Sequence, residues 1–179
     1  MLAHKLDQAL IDEVLGRARV SPRRRANYCF HGPADRLQRM INAALSGSYF
    51  APHRHKDPDK LEIFTILSGR VMVITLDDAG EISDTALLSA ERDPIGVASH
   101  RETGIQGINT CLQAEIPPGT WHTLAVLSPE AVLYECIDGI YDARTHKRFA
   151  PWAPAESDPA AQAYLADLIL RAEAFSARR

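Results

Sequence analysis

With 179 residues, 46% of them apolar and 24% charged, the chain has material for one hydrophobic core, which excludes a disordered chain and leaves little room for two full domains. The formal net charge of −3 argues against a nucleic-acid partner, and no apolar run approaches the roughly 18 residues a membrane span needs. The start, Met1-Leu-Ala-His-Lys-Leu-Asp7, lacks the apolar stretch of a signal peptide, and Cys29, Cys111 and Cys136 form no C-x-x-C, so the expectation is a cytoplasmic protein without disulfides or a thiolate zinc site.

Leu2, Leu6, Leu10 and Val14 recur at helical spacing and predict a first helix from Leu2 to about Arg19, stopped by Ser21-Pro22. A polar link, Arg23 to Gly32, follows. Pro33 suits the first position of a second helix, in which Leu37, Met40, Ile41, Ala44 and Leu45 form an apolar stripe ending at Ser46-Gly47. From Ser48 to Asp138 the pattern changes to short apolar stretches between turn signals, as in an all-β sandwich or barrel. Predicted strands are Ser48 to Ala51, Leu61 to Leu67, Arg70 to Leu76, Thr85 to Leu88, Leu112 to Glu115, His122 to Val126 and Ala131 to Ile137, with turns at Asp77-Asp78-Ala79-Gly80 and Ser128-Pro129-Glu130.

Ala90 to Asn109, polar and longer than a hairpin requires, reads as a rim loop or lid. Phe149 to Pro154 is proline-rich and should lie extended on the surface; Asp158-Pro159 then opens a last helix with Tyr164, Leu165, Leu168, Ile169, Ala172 and Phe175 on one side. The expected organisation is a single domain over residues 1–179: a helical N-terminal extension (1–46), a barrel (47–138), and a C-terminal extended segment with its helix (139–179).

Two short pieces carry the chemistry. On a strand, residues two apart share a face, so His53 and His55 can aim at one ion. Glu62 follows on the next apolar strand, in phase with Phe64 and Ile66, where an ionised carboxylate needs a charged partner; the alternative phase turns Glu62 to solvent and Ile63, Thr65 and Leu67 inward. Pro117-Pro118-Gly119 predicts a tight turn that delivers His122 to the start of a strand. The predicted metal ligands are therefore His53, His55, Glu62 and His122.

The spacing Gly47-x5-His53-x-His55-x6-Glu62-x6-Gly69, followed by Pro117-x-Gly119-x-x-His122, resembles the two motifs of the cupin superfamily. It departs from them in the six residues between His55 and Glu62, where three or four are common, and in Val126, where asparagine often stands. A longer turn at Lys56-Asp57-Pro58-Asp59 would absorb the first departure. The resemblance implies a double-stranded β-helix, or jelly-roll, barrel with two helices before it and one after. Ser21 to Tyr28, Pro52 to His55, Glu115 to Thr123, Gly139 to Asp142 and Phe149 to Glu156 are similar to WbuC-type cupin-fold metalloproteins, which are associated with surface-polysaccharide gene clusters. Cupins commonly pair through barrel edges, so the resemblance also implies a homodimer.

Three histidines and one glutamate leave an octahedral ion two open positions, and the mixed nitrogen and oxygen set suits one divalent transition metal ion, Fe, Mn, Ni or Zn. Arg17, Arg19, Arg23, Arg24, Arg25, Arg36, Arg39 and Arg54 face only Asp35 between Val14 and His55, which points to an anionic small-molecule substrate with Arg23, Arg24 and Arg25 as its candidate contacts. Tyr49, in phase with His53, and Glu135, mid-strand in an apolar run, are candidate catalytic groups. His4, His31 and His146 carry no signal, and His100 reads as an exposed loop residue. Three readings stay open: a metal-dependent isomerase or oxygenase acting on a carbohydrate-related molecule, a non-catalytic sensor or binding module, and a metal-independent sugar epimerase.

Overall fold

The computed structural model describes residues 4–90 and 110–178, so the loop expected over Ala90 to Asn109, with His100, lies outside the described residues but for its first position. Helix α1 spans Gln8–Val20 and is followed by β1 (Arg25–Cys29), β2 (Leu37–Leu45), β3 (His53–Arg54), β4 (Glu62–Ser68), β5 (Arg70–Leu76) and β6 (Ile82–Ser89). Then come β7 (Thr110–Cys111), β8 (Gln113–Ile116), β9 (Trp121–Val126), β10 (Glu130–Asp138), β11 (Arg148–Phe149) and helix α2 (Ala161–Ser176).

The strands form two sheets, one in the order β1-β2-β10-β4-β8 and the other β11-β3-β9-β5-β6-β7. Between them lies an apolar core of Ala44, Phe64, Ile66, Val71, Val73, Leu88, Ile116, Leu124, Val126 and Leu133, all buried. Each sheet carries a helix on its outer face. Val14, Leu15 and Ala18 of α1 cover Ile41, Ala43 and Val132, while Ala161, Leu165, Leu168 and Ala172 of α2 cover Met72, Ile74, Leu87 and Trp121. Asp7 caps α1 by accepting from the Leu10 N–H at 3.0 Å, six residues later than the start expected at Leu2 would allow.

The second predicted helix does not form. Its residues make β2, which pairs with β1 on one side and along nine positions with β10 on the other. Gln38, Met40 and Ala44 are buried on the inner face and Ile41 and Ala43 on the outer face under α1. With both faces covered, the strand loses its period of two, and the remaining apolar positions mimic a helical stripe. The Arg23 to Gly32 link likewise contains β1, so residues 25–45 supply two strands of the five-stranded sheet.

The predicted strand Ser48 to Ala51 is absent too: the stretch is tied to its neighbours by single bonds, Arg25 donating to the Tyr49 carbonyl at 2.8 Å and Thr123 Oγ1 to the Phe50 carbonyl at 2.5 Å. Asp158 forms the turn before α2, accepting from the Ala160 N–H at 2.8 Å, and the helix begins at Ala161. The predicted β4, β5, β9 and β10 agree with the structure to within one residue at each end.

Gly69 joins β4 to β5 with φ of +76°, and a Cβ there would lie 2.3 Å from the Glu130 carbonyl oxygen and 2.9 Å from Ala131 Cα. Gly69→Ala is therefore expected to cost about 2 kcal/mol, seen as a lower urea midpoint with an unchanged slope. An unchanged midpoint would mean that the β10 backbone yields at no cost.

Candidate metal centre

The four predicted ligands come from three places that the sheet brings together. His53 on β3 pairs directly across from His122 on β9, which puts both rings on one face with centroids 4.4 Å apart. His55 follows β3 at the start of the Lys56–Asp59 turn, which takes up the long gap before Glu62. Glu62 opens β4, whose buried face is Glu62, Phe64 and Ile66, so the alternative phase is not the one adopted. The turn that delivers His122 closes with the Thr120 N–H donating to the Pro117 carbonyl at 3.2 Å. In that turn Gly119 has φ of +74°, and a Cβ there would sit 3.2 Å from the Asp59 carboxylate.

His55, Glu62 and His122 are each 1% exposed and His53 5%, and one ligand atom from each residue lies within 4.8 Å of the others. Every imidazole is oriented from behind by a main-chain oxygen: His53 Nδ1 by Ala51 at 3.1 Å, His55 Nδ1 by His146 at 2.5 Å and His122 Nδ1 by Thr120 at 2.9 Å. A carbonyl can only accept, so each Nδ1 carries a proton, and each ring in its neutral form turns an Nε2 lone pair inward. Those three Nε2 atoms and Glu62 Oε2 are buried without hydrogen-bond partners.

Glu62 Oε2 lies 2.8 Å from His122 Nε2 and 3.2 Å from His55 Nε2. Acceptors this close repel one another unless a proton or a cation sits among them. Burial opposes a proton at His53, whose pKa is held well below the usual imidazole range. Burial would also push Glu62 up, but positive charge and N–H donation from His122 and His55, in place of a cation, draw it well below the usual carboxylate range. A buried carboxylate facing three inward lone pairs fits a divalent cation, with nitrogen and oxygen donors of borderline hardness.

A cavity of about 700 Å³ opens over this cluster, lined among others by Gln38, Asn42, Glu135, His146 and Lys147. Glu135 is 8% exposed and accepts from Asn42 Nδ2 at 2.5 Å. Burial and then the charge of neighbouring Glu62 push its carboxyl well above the usual range, which favours the protonated acid. The His146 ring lies 4.8 Å from the His55 ring, tilted by 49°, and burial brings its own pKa down to about 3.

The other candidates fare differently. Tyr49 lies in the apolar layer under α2, its hydroxyl donating to the Pro154 carbonyl at 2.8 Å, because the stretch around it is not a strand and alternation does not carry its side chain round to the histidines. Arg23 and Arg25 line the cavity, but both are bound to Glu156, Arg23 at 2.8 Å. Arg24, with φ of 55°, turns its side chain toward Gly47 instead. Sequence reasoning missed Gln38 and Asn42, hidden in the supposed helix, and His146 and Lys147, which lie far along the chain from the motifs.

Residues 6–88 match the profile of DUF6016, a domain of unknown function. No curated protein matches the chain. Among solved structures it is similar to an uncharacterised conserved protein with a double-stranded β-helix domain from Klebsiella pneumoniae, at 15% identity and a TM-score of 0.52, over 82% of this chain and 97% of that one. The fold is a double-stranded β-helix barrel. The capsular polysaccharide assembling protein CapF from Staphylococcus aureus is similar at 20% identity and a TM-score of 0.54, over 73% of this chain and 32% of that one. Thus this chain matches about a third of the length of CapF. TT1209 from Thermus thermophilus is similar at 18% identity and a TM-score of 0.50, over 77% of this chain and 98% of that one. Two helices flank the barrel among the described residues, one on each side in sequence, where three were expected. No helix among them is long and apolar enough to cross a membrane.

Proposed function

We propose that this chain is a metal-dependent cupin enzyme acting on a small anionic, carbohydrate-related molecule. The observation that carries the reading is the convergence of three Nε2 lone pairs and one carboxylate oxygen, all buried and without partners, under an open cavity. His53, His55, Glu62 and His122 hold one divalent transition metal ion, which when bound polarises a substrate oxygen or activates water or dioxygen. Ala51, Thr120 and His146 carbonyls fix the imidazole tautomers before any ion arrives. Glu135, oriented by Asn42 and with its carboxyl pKa raised by burial, stands beside the ligand set as the candidate general acid. The sequence resemblance to WbuC-type proteins supports a role in surface-polysaccharide metabolism and a homodimer.

Elemental analysis of native protein purified without oxygen tests this directly. One transition metal ion per chain is expected, released by a strong chelator. Native protein that turns over a sugar substrate with no bound metal would favour the epimerase reading instead. Tight binding of one sugar phosphate without turnover, with the metal present, would favour the sensor.

A further inference from the structure

The cavity holds polar groups that the metal ligands do not use. Gln38 is 0% exposed and lines the cavity wall. Its Nε2 donates to the Gly139 carbonyl at 3.0 Å, which fixes the orientation of the amide, because a carbonyl can only accept. The remaining atom, Oε1, is thus an acceptor, and it is buried with no donor among the described residues. Leaving such an atom unpaired is costly, so its place beside a cavity implies a donor that the chain itself does not supply.

Register locates this acceptor relative to the metal ligands. Gln38 is opposite Ile137, and Ile137 is opposite Glu62, so Gln38 and Glu62 stand in one inward row. They are two strand spacings apart, roughly 9.5 Å between backbones. A ligand with one end on the ion therefore needs its donor several bonds from its metal-binding atoms.

Charge narrows the donor. Three cations line the cavity: Arg23 and Arg25 share Glu156, while Lys147, exposed at its mouth and within electrostatic reach of Glu135, makes no salt bridge among the described residues. An ammonium donor would meet Lys147 and a bound cation, whereas a hydroxyl carries no such penalty, and an unpaired lysine favours a carboxylate elsewhere on the same molecule.

We infer that the cavity takes a polyhydroxy carboxylate, its carboxylate and adjacent hydroxyl at the metal and Lys147, and a distal hydroxyl donating to Gln38 Oε1. This rests on the metal-binding reading above. Gln38 is then a specificity-determining residue: it accepts acids that carry the distal hydroxyl and rejects those that lack it.

The probes are D-gluconate, 2-hydroxybutyrate, which has the same head without distal hydroxyls, and sorbitol, a neutral polyol of the same length. Each is titrated calorimetrically into the zinc-loaded full chain, with zinc content measured on the same samples. Gluconate is expected to bind about tenfold more tightly than 2-hydroxybutyrate, and sorbitol more weakly than either. Gln38→Met should erase the gluconate advantage and leave 2-hydroxybutyrate unchanged; Gln38→Leu serves if that variant does not fold.

Equal affinity for the two acids in the unaltered, zinc-loaded protein would overturn the inference, as would binding of neither acid. So would a Gln38 variant that weakens both alike, and sorbitol binding as tightly as gluconate would remove the carboxylate. A chain that takes up no zinc would instead overturn the metal-binding reading, and this inference with it.

Discussion

His122→Ala is expected to leave the protein almost free of metal after dialysis against a chelator at neutral pH, where the unaltered protein keeps one ion per chain. The imidazole removed is 1% exposed and its Nε2 approaches Glu62 Oε2 at 2.8 Å, so it sits at the centre of the ligand set. Losing a residue that merely orients a ligand costs roughly 10- to 100-fold in metal affinity, and losing the ligand itself should exceed about 100-fold. Glu62→Gln should behave alike, because it removes the one negative charge among the ligands. His146→Ala supplies the contrast: the group that holds His55 is the main-chain carbonyl of His146, which survives the substitution, so the metal should stay. Elemental analysis checks all three, with circular dichroism to confirm folding. A stoichiometric ion in His122→Ala would count heavily against the assigned site. Added metal should also raise the melting temperature of the unaltered protein and not that of His122→Ala, since only a folded state that binds the ion is stabilised by it.

The contrast between His122 and His146 shows what the sequence could reveal. His53, His55, Glu62 and His122 were legible because a ligand set built on strands obeys a period of two and a turn needs its glycine, and both leave marks in local sequence. β4 alternates in the same way, whereas β5, β9 and β10 are buried on both faces and were legible as short apolar runs bounded by the turn residues Gly69, Asp77 to Gly80, Gly119 and Ser128-Pro129. β2 was not, because α1 covers its outer face and the core its inner face, and a strand buried on both sides has no alternation to read. Everything contributed by that strand was lost with it, Gln38 and Asn42 included. The use of His146 through its carbonyl is invisible in principle, since any residue has one. The arginine run misled for a different reason: Glu156, which engages Arg23 and Arg25, lies more than a hundred positions away, with separations of 133 and 131. Charge density along the chain says nothing about partners that only folding brings near.

Glu135 gives the second large effect, seen in metal-stripped protein as a change in the shape of stability against pH. Burial, and after it the charge of Glu62, raises the folded carboxyl well above its ordinary value of 4.5. Above pH 4.5 the folded state therefore holds a proton that the unfolded state has released, and stability falls by about 1.4 kcal/mol per pH unit until the raised pKa is passed. His53 acts with the opposite sign. Burial lowers it well below 6.5, so the unfolded state binds the extra proton beneath that pH and stability falls as pH drops. His146, brought down to about 3 chiefly by burial, adds to the same acid-side loss. Between 4.5 and 6.5 the two lowered histidines outweigh the single carboxyl, and above 6.5 the carboxyl opposes folding as far as its raised pKa reaches. The unaltered protein should thus be most stable near pH 6.5 and lose stability on both sides. Glu135→Gln, which keeps the shape of the protonated acid without its titration, should keep the acid-side loss and run flat above 6.5. Urea unfolding at steps from about pH 5 to about pH 8 separates the two curves, because their difference grows by about 1.4 kcal/mol with each unit. Parallel curves above 6.5 would mean that Glu135 is ionised in the folded protein. It would then have no proton to give at neutral pH, and the role of general acid would have to pass to another group in the cavity.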